Sequence, residues 1–174
     1  MSLWPHAARG TPLGFAEQEV ARYRSVQSLS LVDAAYIAGL VDGEGTITLS
    51  RRHAADKRQL VISISSTERP IPDFALQQIG AGKITTKKTA KAHHSPGFTY
   101  AISNRQALSL LLQIEPFLRS YKRQRAALVR ANYVRLTPRN GKYTTVTLAA
   151  RQRFESQLLA LRARSPAESG DTER

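Results

Sequence analysis

The chain has no cysteine, one methionine and one tryptophan among its 174 residues. The missing thiols exclude disulfides, thiol nucleophiles and Cys-ligated zinc, and they fit a reducing compartment. Acids are scarce: 13 Asp and Glu stand against 26 Lys and Arg, a formal net charge of +13. No apolar run approaches the ~20 residues that a membrane helix needs. The N-terminal stretch lacks the apolar core of a secretory signal. The expectation is therefore an intracellular protein without a membrane partner, in a bacterial or archaeal cytoplasm or an organelle matrix. Four scattered histidines offer neither a Ser/His/Asp triad nor His-Asn-His nuclease spacing. His93 and His94 are adjacent, and neighbours in sequence rarely point together, so contact with solvent or phosphate is the reading there.

What is present is a globular composition, 41% hydrophobic, at a length suited to one domain. The charge is unevenly placed. Between residues 74 and 154 stand fifteen Lys and Arg and one acid, Glu115. A stretch so long and one-signed points to a polyanionic partner, with nucleic acid ahead of a membrane surface.

The pattern divides into an irregular arm over 1–30, a domain over 31–164 and a tail over 165–174. Within the arm, residues 15–26 read as a short helix. Asp33 reads as the N-cap of a helix over 34–41, ended by glycines at 43 and 45. Residues 46–52 and 58–66 alternate as strands do. Pro70 and Pro72 lead into a helix over 73–79, stopped by Gly80 and Gly82. Two more strands follow over 83–91 and 98–103. Asn104 reads as the cap of a helix through 114, Glu115-Pro116 as a break, 117–136 as a long basic helix and 144–164 as a last helix. The order is α-β-β-α-β-β-α, which is α+β with an antiparallel four-stranded sheet.

One face of each strand is apolar: Ile47 and Leu49; Leu60, Ile62 and Ile64; Phe98, Tyr100 and Ile102. The other carries Thr46, Thr48, Ser50 and Arg52, then Gln59, Ser63 and Ser65. The run over 83–91 places Lys83, Thr85, Lys87, Thr89 and Lys91 on one side, so that side is no core face. An apolar face packs on helices, and a polar one is left for DNA, where β-ribbons reach base edges in the major groove. These twelve polar residues are the candidate DNA contacts.

The stretch Tyr36–Gly45 is the densest in information. A helix rich in small residues runs into two carboxylates, Asp42 and Glu44, separated by Gly43. A carboxylate at a helix-to-strand junction in a strongly basic chain suits a hard divalent cation held against phosphate. Asp42 is balanced between that role and helix-end capping. Ala34, Ala35, Ala38 and Gly39 make two small faces, suited to packing on the sheet or to helix-on-helix contact across a dimer axis.

The segment IAGLVDGEG within this stretch resembles the signature of the LAGLIDADG homing endonucleases, present once, with the likeness extending over roughly residues 33–136. The resemblance implies a homodimer with its signature helices at the two-fold axis, at Ala34, Ala35, Ala38, Gly39 and Asp42. It implies metal binding by the Glu44 carboxylate and the Gly43 carbonyl. It implies Mg²⁺ as the cofactor, with Mn²⁺ as a substitute and Ca²⁺ non-catalytic. Lys122, one residue displaced from the usual spacing, would lie near the hydrolytic water, and Glu68 would help hold the water network. The family's supporting arginine has no match, because Pro72 occupies its position; Arg69 is the nearest substitute. The implied activity is cleavage of both strands of a long, roughly palindromic double-stranded DNA site, leaving 3′ overhangs. The alternative is a non-cutting member of the same type, an intron RNA maturase or a transcription regulator.

Overall fold

The computed structural model describes residues 24–51, 53–87, 96–139 and 141–162. The arm helix over 15–26, the tail, His93 and His94, and the candidate contacts Arg52, Thr89 and Lys91 lie wholly or mainly outside them.

Helix α1 (Leu31–Glu44) begins three residues earlier than its pattern suggests. Ser30, not Asp33, is the N-cap: its hydroxyl accepts from Asp33 N–H at 3.1 Å and donates to the Asp33 carboxylate at 2.6 Å. This closes the first turn as a capping box does. Gly43 does not break the helix, which runs on to Glu44 and is capped by Gly45. Ala34, Ile37, Ala38 and Val41 recur at helical spacing and are buried.

Strand β1 (Gly45–Ser50) follows with no connecting loop, then β2 (Gln59–Ser66), helix α2 (Pro70–Ile79), β3 (Lys83–Lys87) and β4 (Gly97–Ser103). The sheet order is β1-β2-β4-β3, antiparallel throughout. In register, Ile47 faces Ile62, which faces Ile102, and Ile64 faces Tyr100. These apolar rows are almost wholly buried under the helices. Each such side chain contributes about 1.5–3 kcal/mol. α2 starts with Pro70 at its first position and ends at Gly80, whose φ of 72° suits glycine.

β4 passes directly into α3 (Asn104–Ile114), with Asn104 at φ 57°. Asn104 makes no side-chain cap. Its amide instead donates to Gln59 Oε1 at 3.1 Å. A 3-10 turn (Glu115–Phe117) precedes α4 (Lys122–Leu136). The helix expected from 117 thus starts at 122, because Leu118 turns extended after Pro116. α5 (Thr145–Ala160) is capped by the Thr144 hydroxyl, which accepts from Thr147 N–H at 3.1 Å.

Part of the basic charge is internal. Arg125 and Arg151 are buried. Arg125 donates to Ile47 O at 2.7 Å and to Leu161 O at 2.6 Å. Arg151 donates to Leu136 O at 3.1 Å and to Arg58 O, and pairs with Glu155 at 2.9 Å. Arg58 in turn donates to Leu49 O at 3.2 Å. Guanidinium groups suit this work because their five donors can satisfy several carbonyls at once. Residues 27–29, read from sequence as arm, are tied to the body. Gln27 N–H donates to Ile79 O at 3.0 Å, and Leu29 N–H to the Gln113 side chain at 2.8 Å.

Tyr100 is fully buried and donates its hydroxyl to Ala81 O at 2.8 Å. Burial pushes its phenol well above the ordinary 10.0, since the charged form would lose its hydration. The folded chain then holds this proton where the unfolded chain releases it, so the stabilisation is complete below pH 10.0 and is lost as pH rises beyond. Tyr100→Phe should cost about 1 kcal/mol at neutral pH and flatten the loss of stability above pH 10.0. Urea melts across that range check both effects.

Candidate metal site and nucleic-acid interface

The residues at alternate positions opposite the core form one continuous polar face. Thr46 faces Ser63, Ser63 faces Ala101, and Ala101 faces Lys83. Ser65 faces Thr99, which faces Thr85, and Ser50 faces Gln59. Thr46, Ser50, Gln59, Ser65, Lys83 and Thr85 are exposed; Thr48 and Ser63 are half-buried. Lys87 pairs with Gly97 at the end of β3. Hydroxyls dominate: Ser65 and Thr99 share a hydrogen bond of 2.9 Å, and Thr85 donates to Thr99 O at 3.5 Å. Thr99 was not among the candidates. Carrying the alternation of Tyr100 and Ile102 to the other side of β4 would have found it.

Glu44 is the last residue of α1 and is exposed. Among the described residues it enters no ion pair. It stands at the rim of an open cleft of about 430 Å³, lined also by Ser65, Ser66, Thr67, Phe98 and Thr99. Ser65 and Thr99 belong to the polar face, so cleft and face are one surface.

Gly45 determines how closely this carboxylate approaches the sheet. A Cβ there would lie 2.6 Å from Val41 Cα and 2.8 Å from Ser63 O. The helix can turn into the strand only with glycine at that position. At the end of α1, Val41 O accepts from Gly45 N–H. Lys122 adds bonds from outside: its buried ammonium donates to Val41 O at 2.8 Å and Asp42 O at 2.9 Å. Burial pushes this ammonium below its ordinary value; Asp42 opposes that shift, Arg125 adds to it, and Glu44 opposes it.

The Asp42 carboxylate accepts from Arg119 N–H at 2.6 Å and from the Ser120 hydroxyl at 2.6 Å, which caps the entry to α4. Ala34 and Ala38, expected at a dimer interface, are buried in the core. Ala35 and Gly39 remain on the outer face of α1. Glu68 is exposed and does not line the cleft; its N–H donates to Ser66 Oγ at 2.9 Å. Arg69 stands 5.3 Å over the Phe98 ring with its Nε paired to Asp73 at 2.8 Å, while Pro72 is buried in α2.

Carboxylate and main-chain carbonyl oxygens at Glu44 and Gly43 are the hard donors that Mg²⁺ prefers. Among the described residues no three His, Cys, Asp or Glu cluster around a common point. A cation held at Glu44 would complete its shell with water and phosphate oxygens. No helix among the described residues is long and apolar enough to cross a membrane.

No protein-family model and no curated protein matches the chain. Solved structures do. The homing endonuclease I-CvuI, in complex with its target, superposes with TM-score 0.62 at 17% identity, covering 78% of this chain and 85% of that one. The archaeal intron-encoded homing endonuclease I-Vdi141I, complexed with DNA, gives TM-score 0.58 at 18% identity, covering 77% and 86%. The LAGLIDADG homing endonuclease I-GzeII, with a DNA target, gives 0.59 at 13% identity, covering 83% of this chain and 49% of that one. The chain has the fold of the LAGLIDADG homing endonucleases, and the segment that resembles their signature carries the exposed carboxylate beside the polar sheet face.

Proposed function

We propose that the protein is a Mg²⁺-dependent, site-specific DNA endonuclease that acts as a homodimer. The observation that carries this reading is the position of Glu44. An exposed carboxylate, outside any ion pair among the described residues, opens onto the same surface as the hydroxyl-rich face of the sheet. DNA laid across that face meets Thr46, Ser50, Gln59, Ser65, Lys83 and Thr85, with a backbone phosphate arriving at the cleft. Divalent metal, when bound, supplies charge neutralisation and activates water for attack on phosphorus. The chain holds the metal through Glu44 and the Gly43 carbonyl, and it keeps the last turn of α1 in place through Lys122. That I-CvuI and I-Vdi141I are DNA complexes supports the same reading.

The dimer reading rests on α1. Gly39 and Gly43 lie four apart on its exposed face, and a Cβ at either would meet nothing within 4 Å. The fold itself has no need of glycine there, and each costs helix stability of about 1 kcal/mol relative to alanine. Leu31 and Val32 on the same helix are each 78% exposed, and Tyr36 is 49% exposed. A second α1 packed closely on this face accounts for both features. The share of I-GzeII covered by the match, 49%, supports the chain as one half of a two-part enzyme.

A non-cutting binder is the second reading, favoured by Pro72 standing where the resemblance implies an arginine. One experiment separates the two. Incubation with a randomised duplex DNA library in Mg²⁺ and in Ca²⁺ should yield a near-palindromic site, cut only in Mg²⁺. Glu44→Gln should slow cutting by more than about a hundredfold, since even the outer partners of a metal ligand matter by 10–100-fold, and should still bind the recovered site in Ca²⁺. Full cutting by Glu44→Gln would remove Glu44 from the site; selective binding with no cutting in any metal would establish the binder.

Light scattering tests the assembly. The wild-type chain should weigh twice its 19.3 kDa. Gly39→Leu should reduce it to one chain without lowering its melting temperature, because leucine is the better helix former. A wild-type monomer, or a Gly39→Leu dimer, would refute the α1 interface.

A further inference from the structure

Where α1 ends and α4 begins, two helix termini cap one another. The Asp42 carboxylate accepts from Arg119 N–H at 2.6 Å, from Ser120 N–H at 3.4 Å and from the Ser120 hydroxyl at 2.6 Å. These donors lie just ahead of α4. Lys122, the first residue of α4, reaches the other way, to Val41 O and Asp42 O. An anion at a helix N-terminus and a cation at a helix C-terminus are each favoured by the helix dipole. Ser120 Oγ also accepts from Lys122 N–H at 3.2 Å, so one hydroxyl touches both halves. The result is a crossed pair of caps, acid to one helix and base to the other, sharing a serine.

We propose that Asp42 and Ser120 are positioning residues for the metal-binding end of α1, and that this crossed cap holds Glu44 at the cleft. The proposal rests on the reading of Glu44 as a metal ligand. Glu44 lies two residues beyond Asp42 and is flanked by Gly43 and Gly45. A helix end between two glycines frays readily, since glycine loses the most backbone freedom on ordering. The crossed cap opposes fraying at this end, where the outer face of α1 is exposed. Displacing a reacting group by about 1 Å can cost a hundredfold, so an anchor two residues away suffices to control the site.

The test uses the full chain in complex with the duplex recovered by selection in Ca²⁺. Mn²⁺ is titrated in, and its uptake is followed by loss of the free ion's paramagnetic resonance signal. Glu44→Gln defines the curve without the site. Asp42→Asn and Ser120→Ala should raise the half-saturating Mn²⁺ concentration by about tenfold or more, the range seen when outer partners of metal ligands are removed, with duplex binding little changed. Ser120→Thr, which keeps the hydroxyl, should restore the wild-type midpoint. Thr144→Ala removes the α5 cap and serves as a control for destabilisation alone; its midpoint should stay in place. Should Asp42→Asn fail to fold, Ser120→Ala, which deletes a single hydroxyl, decides. Wild-type midpoints in folded Ser120→Ala and Asp42→Asn would overturn the positioning role while leaving Glu44 as ligand. A wild-type curve identical to that of Glu44→Gln would instead overturn the metal reading, and the positioning role with it.

Discussion

The ammonium of Lys122 is buried between two helices and bonded to two main-chain carbonyls, and the geometry of the whole site depends on that arrangement. Taking a cation out of water costs several kcal/mol unless partners replace its hydration. Here the replacements are carbonyls at a helix C-terminus, which carry partial negative charge. These bonds tie α4 to the end of α1. Gly45 completes the junction by letting β1 depart within van der Waals reach of Val41 and Ser63.

Charge in this chain has two separate uses. Lys122, Arg125 and Arg151 are buried and donate to backbone carbonyls. Lys83 and the hydroxyls of the sheet are presented to solvent. A net charge of +13 therefore overstates the positive charge that a partner meets on the sheet. What the sheet offers is mainly hydroxyl and amide groups in register, a surface suited to hydrogen bonding with base edges more than to charge alone.

Strand alternation was legible because it follows directly from burial of one face: Ile47, Leu49, Leu60, Ile62, Ile64, Tyr100 and Ile102 all lie inward. Phe98 is only half-buried, being near the strand end beside the cleft. The position of Glu44 at a helix-to-strand junction was legible because glycine follows it and an alternating run comes next. Helix ends were less so. Ser30 and Asp33 are both good caps, and only the position of the first turn selects between them. The start of α4 depends on Asp42, 77 residues away from Arg119, and no local pattern encodes such a contact. The faces of α1 were misjudged at Ala34 and Ala38 because small residues at spacing four suit a sheet as well as a helix. Burial of Arg125 and Arg151 was invisible for a related reason: their partners are backbone carbonyls, which every residue carries.

β1 lies at the edge of the sheet, and an edge strand presents unpaired carbonyls on which another strand can add. Two of those carbonyls, at Ile47 and Leu49, are bonded by the side chains of Arg125 and Arg58. They belong to alternate residues, so the guanidinium groups stand where a fifth strand would begin to zip. The sheet is thereby closed on that side by one arginine from α4 and one just ahead of β2. It cannot grow by strand addition there without first losing two bonds to charged donors, which protects a hydroxyl-rich surface from polymerising through its edge.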